Sequence, residues 1–317
     1  MITSFREAMS MTLMDAAEDN PALLVLTPDL ARALRLDCFL ETYPDKHISV
    51  GICETNMVGV AAGLAAVGYI PVISGFSMFV AEKPFEQIRN IIAYPSFNVK
   101  IIATHGGLCV GKDGATHQAV EDIALMRVLP NFVVLTACDV AQTESAIKAA
   151  IAHDGPVYLR LGRDRSNPVY TNGCTFEIGK SDVLKDGNDI VIFTTGTVVS
   201  NALAAAEQLK GQGIDAAVIN IYSIKPFDKE TVLHYAQKCK KAVTVEDHSK
   251  LGGLGSTIAE FLSTAYPIPI EFVGVDDVFG ESGNEAELYE KYGLDTTSII
   301  KAAARVTKIE TRGTIYE

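Results

Sequence analysis

The stretch VGICETNMVGVAAGLAAVGYIPVISG, residues 50–75, contains the two kinds of element whose alternation decides the fold. The part after Glu54 consists of small and apolar residues and predicts a helix, whereas YIPVISG (69–75) is an apolar run typical of a buried strand. Such runs alternate with helical patterns along the chain, which predicts two α/β domains with parallel sheets covered on both faces. The other strand-like runs are residues 22–29, 99–105, 131–137, 155–163, 189–196, 216–223, 241–247 and 270–276.

A polar, turn-rich segment interrupts this alternation at residues 166–188. We therefore predict a first domain over residues 1–165, a linker over 166–188 and a second domain over 189–317. Ligands of parallel α/β sheets bind outside the carboxyl ends of the strands. Residues 105–118 and 160–165 follow strand-like runs directly, so these two loops are expected to carry the chemistry.

Length and composition restrict the class of protein. A chain of 317 residues with 48% hydrophobic content can bury two cores. Its net charge of −12 argues against nucleic acid as a partner. The sequence has no apolar run long enough for a membrane span and its N-terminus does not resemble a signal peptide, so we expect a cytoplasmic protein. The six cysteines are scattered without a CxxC pair, which indicates neither a zinc site nor a disulfide framework.

Glu54 lies at the predicted start of a helix whose other residues are mostly small or apolar. A helix dipole favours an acid at this position, with Thr55 as a candidate N-cap. The Gly and Ala residues over 59–66 would also allow this helix to pack closely on another helix and bury Glu54 there. Burial raises the pKa of a carboxyl group, which would suit Glu54 to share a proton with a basic ligand nitrogen. The residues alone leave both interpretations open.

The segment THGGLCVGKDGATHQ (104–118), called the histidine loop below, combines His105, His117 and Asp113 with four glycines. Histidine can donate to an oxygen or move a proton near neutral pH, and glycine allows a backbone to approach a ligand closely. The same pattern is compatible with a mobile surface loop. It is not a P-loop, because the sequence GxxxxGK[ST] is absent.

Two further sets of side chains have both a structural and a functional interpretation. Phe76 and Phe79 could belong to the core or could stack on a flat heteroaromatic ligand. Arg160, Arg163 and Arg165 could be solvated charges or could bind phosphate with their planar guanidinium groups.

The segment VEDHSKLGGLGS (245–256) in the predicted second domain joins two acids and a histidine to a Gly-rich turn before a helix. It could hold an anion at the helix start or form a tight structural turn. It lacks the GxGxxG pattern, so it is not a dinucleotide fingerprint.

The order and spacing of six segments resemble the C-terminal half of transketolase, a thiamine-diphosphate enzyme. The resemblance covers nearly the whole chain and implies a pyrimidine-binding domain followed by a transketolase C-terminal-like domain. Its most specific part is the histidine loop, which has a Thr-His start, a Gly-x-Asp-Gly centre and a Thr-His-Gln end. The segments are SFRE, TPDL, GICETNMVGVAAGLA, SGFSMF, THGGLCVGKDGATHQ and LRLGR.

The resemblance implies roles for nine residues. Glu54 would hydrogen-bond the aminopyrimidine ring of thiamine diphosphate, and Phe76 and Phe79 would flank that ring. Asp29 would lie near the cofactor. His105, Asp113 and His117 would contact the hydroxyls and the carbonyl oxygen of the sugar. Arg6, Arg163 and His105 would bind its phosphate.

The chain departs from the family pattern at a few of its positions. Gly106 and Gly107 stand where the family usually has Asp-Ser, which removes two polar side chains near the expected substrate. Glu82 replaces an aromatic residue, and Ala33 stands where a phosphate-contacting Ser is often found. These departures leave the identity of the sugar open.

The resemblance also implies a partner subunit. A complete transketolase holds the diphosphate through Mg²⁺ with a domain marked by Gly-Asp-Gly, and this chain contains no such sequence. The chain therefore resembles the second subunit of a split transketolase that transfers a two-carbon ketol unit between sugar phosphates in an α₂β₂ assembly. Three alternatives are the β subunit of a 2-oxoacid dehydrogenase, a deoxyxylulose-phosphate synthase section, and a subunit that has kept the fold but lost the chemistry.

Overall fold

The computed structural model describes residues 4–164, 167–171 and 173–308 of the chain. Each of the nine predicted strand-like runs contains a strand, which confirms the predicted α/β class. The strands are β1 Leu23–Thr27, β2 His47–Ser49, β3 Ile70–Phe76, β4 Lys100–Thr104, β5 Val133–Thr136, β6 Val157–Arg160, β7 Asp182–Lys185, β8 Ile190–Thr194, β9 Ala216–Asn220, β10 Ser223–Lys225, β11 Ala242–Ser249 and β12 Ile270–Val275.

The helices connect these strands along the chain. The α-helices are α1 Phe5–Asp19, α2 Asp37–Thr42, α3 Glu54–Ala66, α4 Phe85–Gln87, α5 Asp122–Val128, α6 Val140–Ala152, α7 Val199–Gly211, α8 Lys229–Cys239, α9 Leu254–Ala265, α10 Glu285–Lys291 and α11 Thr296–Thr307. Short 3₁₀ turns cover Pro44–Lys46, Leu108–Asp113, Ala115–His117 and Gly196–Val198, and π-helical segments cover Met78–Glu82 and Ile88–Ala93.

Within the described residues the strands form two sheets. The first has seven strands in the order β10-β5-β6-β4-β3-β1-β2, and the second has five in the order β12-β11-β8-β9-β7. Neighbouring strands are parallel except at two edges, where β10 runs antiparallel to β5 and β7 antiparallel to β9. The strands β2, β7 and β10 were not predicted, because they are short edge strands with few apolar residues.

Alternating strand residues divide the first sheet into two buried faces. Leu23 and Val25 of β1 pack with α1 and α6, whereas Leu24 and Leu26 pack with α3 and α5. The second face shares one continuous core with α8 and α9 of the second domain. Because β10 also comes from the second half of the chain, the two α/β domains are joined by side-chain packing and by backbone pairing.

The segment 166–188 is not entirely irregular, since β7 lies inside it at the edge of the second sheet. Arg165 and residue 166, where the predicted first domain meets the linker, lie outside the described residues. The domain boundaries stay predictions.

Two local predictions were wrong. The sequence before the run 131–137 predicts a helix that starts near His117, but this helix begins at Asp122, because residues 115–117 form a separate 3₁₀ turn. Thr55 is not the N-cap of α3, because Cys53 occupies the cap position and Glu54 is the first helical residue. Over the described residues, no helix combines the length and the apolar character that crossing a membrane requires.

Candidate active site

Four of the predicted site residues lie along one edge of the first sheet. Phe76 ends β3, His105 follows β4 directly, Arg163 comes three residues after β6, and Asp29 comes two residues after β1. These strands are neighbours in the order β6-β4-β3-β1, and all are parallel. Their carboxyl ends therefore bring residues from distant parts of the sequence to the edge where ligands of such sheets bind.

Four predicted side chains form a ring cluster at this edge. The rings of Phe76 and His105 stack with centroids 3.7 Å apart, and those of Phe76 and Phe79 lie 6.0 Å apart at an interplanar angle of 23°. His117 contacts Phe79 edge-on at a centroid distance of 5.2 Å. The structure thus brings together Phe76, Phe79, His105 and His117, which we call the ring cluster.

His105 is held in an unusual backbone conformation and a buried position. Its φ of 62° lies in the left-handed region, which is uncommon for a residue other than glycine, and its side chain is 1% exposed. Its Nδ1 lies 2.8 Å from the hydroxyl oxygen of Thr104. Burial, followed by the nearby charges of Arg6 and Arg163, lowers the pKa of His105 to about 2. His105 is therefore a neutral imidazole at physiological pH.

The two predicted phosphate-binding arginines already have partners within the chain. Arg163 Nη1 donates to the carbonyl oxygen of Val110 at 2.5 Å and to Asp113 Oδ2 at 3.2 Å. Arg6 Nη1 donates to the carbonyl oxygen of Ala33 at 2.9 Å, and Arg6 Nη2 forms an ion pair with Asp164. The guanidinium groups of Arg6 and Arg163 are therefore close to His105, and the carboxylates of Asp164 and Asp113 partly neutralise their positive charge.

Glu54 is buried at the first residue of α3, with 3% of its surface exposed. Lys83 Nζ donates to Glu54 Oε2 at 2.5 Å, and the Lys83 side chain is half-exposed. Phe79 precedes Lys83 by four residues in the same helical run, so the lysine that contacts Glu54 lies about one turn of backbone from a member of the ring cluster. Lys83 was not among the residues predicted from the sequence. A lysine one helical turn beyond an aromatic residue that is predicted to face a ligand is the signal that could have found it.

Asp29 has a left-handed backbone with φ of 61°, like His105. Its side chain is exposed, and the preceding Pro28 packs beside Gly75 near the end of β3. Asp29 and His105 follow β1 and β4, which are separated in the sheet by β3, and residues with such a backbone often cluster at functional sites.

Arg160 is part of the protein interior. Its Nε donates to Asp122 Oδ2 at 2.8 Å, and its Nη2 donates to the carbonyl oxygens of Ala119 and Asp247. The side chain is nearly fully buried, so neither a solvated charge nor a phosphate ligand describes it. It connects β6 to the histidine loop and to the end of β11.

Glu82, which replaces a family aromatic residue, lies in a buried acidic environment. Burial, then the charges of Glu121 and Asp122, raises the pKa of Glu82 to about 8. The carboxyl group of Glu82 is therefore largely protonated near neutral pH.

The first glycines of the histidine loop face protein rather than a ligand. A Cβ atom on Gly106 would lie 2.5 Å from Arg160 Nε, and one on Gly107 would lie 2.4 Å from Asp247 Cγ. Protein therefore occupies the space that a side chain would need: Arg160 of the first domain at Gly106, and Asp247 of the second domain at Gly107.

Comparison with known proteins gives two family matches that cover most of the chain. Residues 3–168 match the family described as the transketolase pyrimidine binding domain, and residues 179–299 match the one described as the transketolase C-terminal domain. The chain is 41% identical over 296 residues to a 6-deoxy-6-sulfo-D-fructose transketolase subunit of Clostridium sp. MSTE9, covering 93% of this chain and 92% of the relative. It is 35% identical over 304 residues to one subunit of an apulose-4-phosphate transketolase of Phocaeicola vulgatus, covering 96% and 97% of the two chains.

A solved structure agrees with the fold over nearly its full length. It is described as a split gene transketolase in the form of an inactive β4 tetramer. The TM-score is 0.88 at 44% sequence identity, and the match covers 96% of this chain and 98% of that chain.

Proposed function

This chain belongs to the transketolase family, and we propose that it is one subunit of a split transketolase that transfers a two-carbon ketol unit between sugar phosphates. The observation that carries the proposal is the position of Glu54, a buried acid whose partner Lys83 lies four residues after Phe79 of the ring cluster. The α3 surface beside it is open, as expected for a site that a second subunit completes. The inactive tetramer of β chains formed by a split-gene relative also supports the need for a partner.

The side chains present fit the pyrimidine end of thiamine diphosphate. The carboxyl group of Glu54 can share a proton with a ring nitrogen, and Phe79, which is partly exposed, offers an aromatic face to a flat ring, whereas Phe76 is buried and stacks on His105. When bound, thiamine diphosphate supplies the nucleophilic carbon that receives and passes on the ketol unit. The chain lacks Gly-Asp-Gly, so we assign the diphosphate and its Mg²⁺ to the partner subunit.

In the isolated chain, Lys83 is the hydrogen-bond donor to the carboxylate of Glu54. Since the Lys83 side chain is half-exposed, its ammonium group can turn into solvent, but Glu54 is buried, so its carboxyl group needs another partner once the lysine has left. We propose that the pyrimidine ring takes the place of Lys83 on the carboxyl group of Glu54 when the subunits assemble.

The other predicted residues are proposed to bind substrate. His105 is neutral, so it can position the carbonyl oxygen and a hydroxyl of the sugar by hydrogen bonding, and His117 lies beside Phe76 and Phe79 at centroid distances of 6.4 and 5.2 Å. Asp113 would accept from a sugar hydroxyl. Arg6 and Arg163 would receive the phosphate, which carries more charge than the carboxylates that now balance them. Asp29 is assigned to the cofactor side of the site.

The exposed face of α3 is the proposed contact with the partner subunit. Gly59 and Gly63 lie on this face, and a Cβ atom on either residue would meet nothing within 4 Å. A groove beside them is lined by Ile91 and Tyr94, and Tyr94 is 86% exposed. Small residues next to exposed apolar ones permit close helix packing. We propose an α₂β₂ assembly in the cytoplasm that buries this face.

Replacing Gly63 with Leu should weaken subunit assembly without unfolding the chain. The new side chain points into open space in the isolated chain, and Leu favours a helix over Gly by roughly 0.8 kcal/mol. Overpacking at the interface should cost about 1–3 kcal/mol of binding free energy. The dissociation constant of the assembly, measured by analytical ultracentrifugation, should therefore rise about five- to 150-fold. Gly211→Leu, at an equally open helical glycine in α7, is the matched control. Unchanged assembly in Gly63→Leu would show that α3 is not the interface.

The proposed function is tested by combining the purified chain with the diphosphate-binding subunit of the same organism, thiamine diphosphate and Mg²⁺. Ketol transfer from xylulose 5-phosphate, or from 6-deoxy-6-sulfofructose as a second donor, should require both chains. Transfer by this chain alone would contradict the partner requirement. Oxidative decarboxylation of pyruvate in place of ketol transfer would identify the chain as a 2-oxoacid dehydrogenase β subunit, and binding without any turnover would identify a non-catalytic subunit.

A further inference from the structure

A carboxylate of the second domain holds the histidine loop of the first. Asp247, near the end of β11, is 1% exposed. Its Oδ1 accepts the backbone N–H of Leu108 at 2.8 Å, and its Oδ2 accepts the N–H of Cys109 at 3.2 Å. The hydroxyl group of Tyr289 also donates to Oδ2, at 2.9 Å.

These contacts provide an N-terminal cap from outside the loop. The 3₁₀ turn Leu108–Asp113 begins with backbone N–H groups that have no partner within the turn. Gly107 occupies the cap position with φ of 88° and has no side chain to accept them. The carboxylate of Asp247 accepts them instead, and Gly107 leaves it the space to do so.

The capped turn connects the proposed substrate-binding groups. His105 comes three residues before Leu108, and Asp113 follows the capped turn after a kink at Gly111, whose φ is 75°. A second contact lies further along the loop, where Gln118 Nε2 donates to the carbonyl oxygen of Glu281 at 2.9 Å. The path of the chain from His105 to Gln118 is therefore fixed at two places by the second domain.

We propose that Asp247 is a positioning residue for the active site: it caps the turn after His105 and so fixes where His105, Asp113 and His117 meet the sugar. Its kinetic consequence rests on the proposed function, whereas its effect on the loop does not. The second domain then completes the substrate side of the site, in addition to any role in assembly. A displacement of reacting groups by about 1 Å can cost roughly 10²-fold in rate, so such a cap matters to catalysis.

The test variant is Asp247→Asn, which keeps the size of the side chain but replaces one acceptor oxygen with an amide that donates. The matched control is Glu246→Gln. Glu246 is equally buried and accepts two backbone N–H groups, those of Leu254 and Gly255 at 2.7 and 2.8 Å, but it caps α9 within its own domain. Tyr289→Phe removes one donor to Asp247 and provides a milder second variant.

In Asp247→Asn, amide hydrogen exchange over residues 105–113 of the purified chain should accelerate at least about tenfold, with a smaller effect in Tyr289→Phe and none in Glu246→Gln. In the assembled enzyme, kcat/KM for the ketose phosphate should fall by about 10²-fold in Asp247→Asn, while the dissociation constant of thiamine diphosphate stays unchanged. Glu246→Gln should keep wild-type kinetics per folded site, even where its melting temperature falls.

Wild-type exchange over residues 105–113 in both Asp247→Asn and Tyr289→Phe would overturn the inference. So would equal losses of kcat/KM in Asp247→Asn and Glu246→Gln, because a general loss of stability would explain both. If the wild-type assembly transfers no ketol unit, the proposed function fails, but the exchange measurement still decides whether Asp247 holds the loop.

Discussion

Replacing Glu54 with Gln is expected to lower ketol transfer by the assembled enzyme about 10³-fold or more, equivalent to roughly 4 kcal/mol in the barrier. A carboxamide occupies the same space as the carboxyl group but cannot share a proton with a ring nitrogen. The variant should fold normally, because the carboxamide has nearly the same shape and its oxygen can still accept a hydrogen bond from Lys83. Steady-state turnover and melting temperature measure the two effects separately.

Glu86→Gln is the control for this substitution, since Glu86 is exposed and lies in the same region of the chain. It should keep full activity. Normal turnover in Glu54→Gln would show that the assigned proton-sharing role is wrong, whatever the subunit composition of the enzyme.

Replacing His105 with Ala should lower kcat/KM for the ketose phosphate by about 10³-fold, within the range that a positioned acid–base or hydrogen-bonding group contributes. The imidazole is buried against Phe76 and near the charges of the proposed phosphate-binding arginines, so its removal leaves the substrate without that polar contact. His234→Ala is the control, because His234 is exposed on α8. A variant with wild-type kcat/KM would exclude His105 from the substrate site.

The lowered pKa of His105 also predicts how the stability of the chain depends on pH. Burial lowers its pKa from 6.5 to about 2, so between these values the unfolded chain binds a proton that the folded chain does not. Above pH 6.5, His105 is neutral in both the folded and the unfolded chain, so it does not make the free energy of unfolding depend on pH. Below pH 6.5, the free energy of unfolding declines as the pH falls. Relative to His105→Ala, the free energy of unfolding of the wild type should fall by up to about 1.4 kcal/mol per pH unit. A constant difference between pH 6 and pH 5 would contradict the lowered pKa.

The strands and the site edge were predictable because each depends on local sequence. Runs of Val and Ile indicated nine strands, and His105 could be placed at a strand end because it follows such a run directly. β7 and β10 were not predictable in the same way, since they are short and pair antiparallel at sheet edges. Their formation depends on a neighbouring strand that is already in place.

The contacts that the sequence did not reveal all join distant residues. Lys83 meets Glu54 across 29 positions, and Asp247 meets Leu108 across 139. The sequence could not show what lies beside Gly107, because a glycine indicates that space is needed but not what fills it. The structure fills that space with Asp247, and this changes the interpretation of the departure from Asp-Ser: part of it reflects packing of the second domain.

The most direct measurement of the central claim is a structure of this chain assembled with its diphosphate-binding partner and thiamine diphosphate. We expect a carboxyl oxygen of Glu54 within about 3 Å of a pyrimidine ring nitrogen, with the ammonium group of Lys83 displaced and α3 buried against the partner. An assembly in which Lys83 remains on Glu54 and the cofactor binds away from both would contradict the proposed role of Glu54.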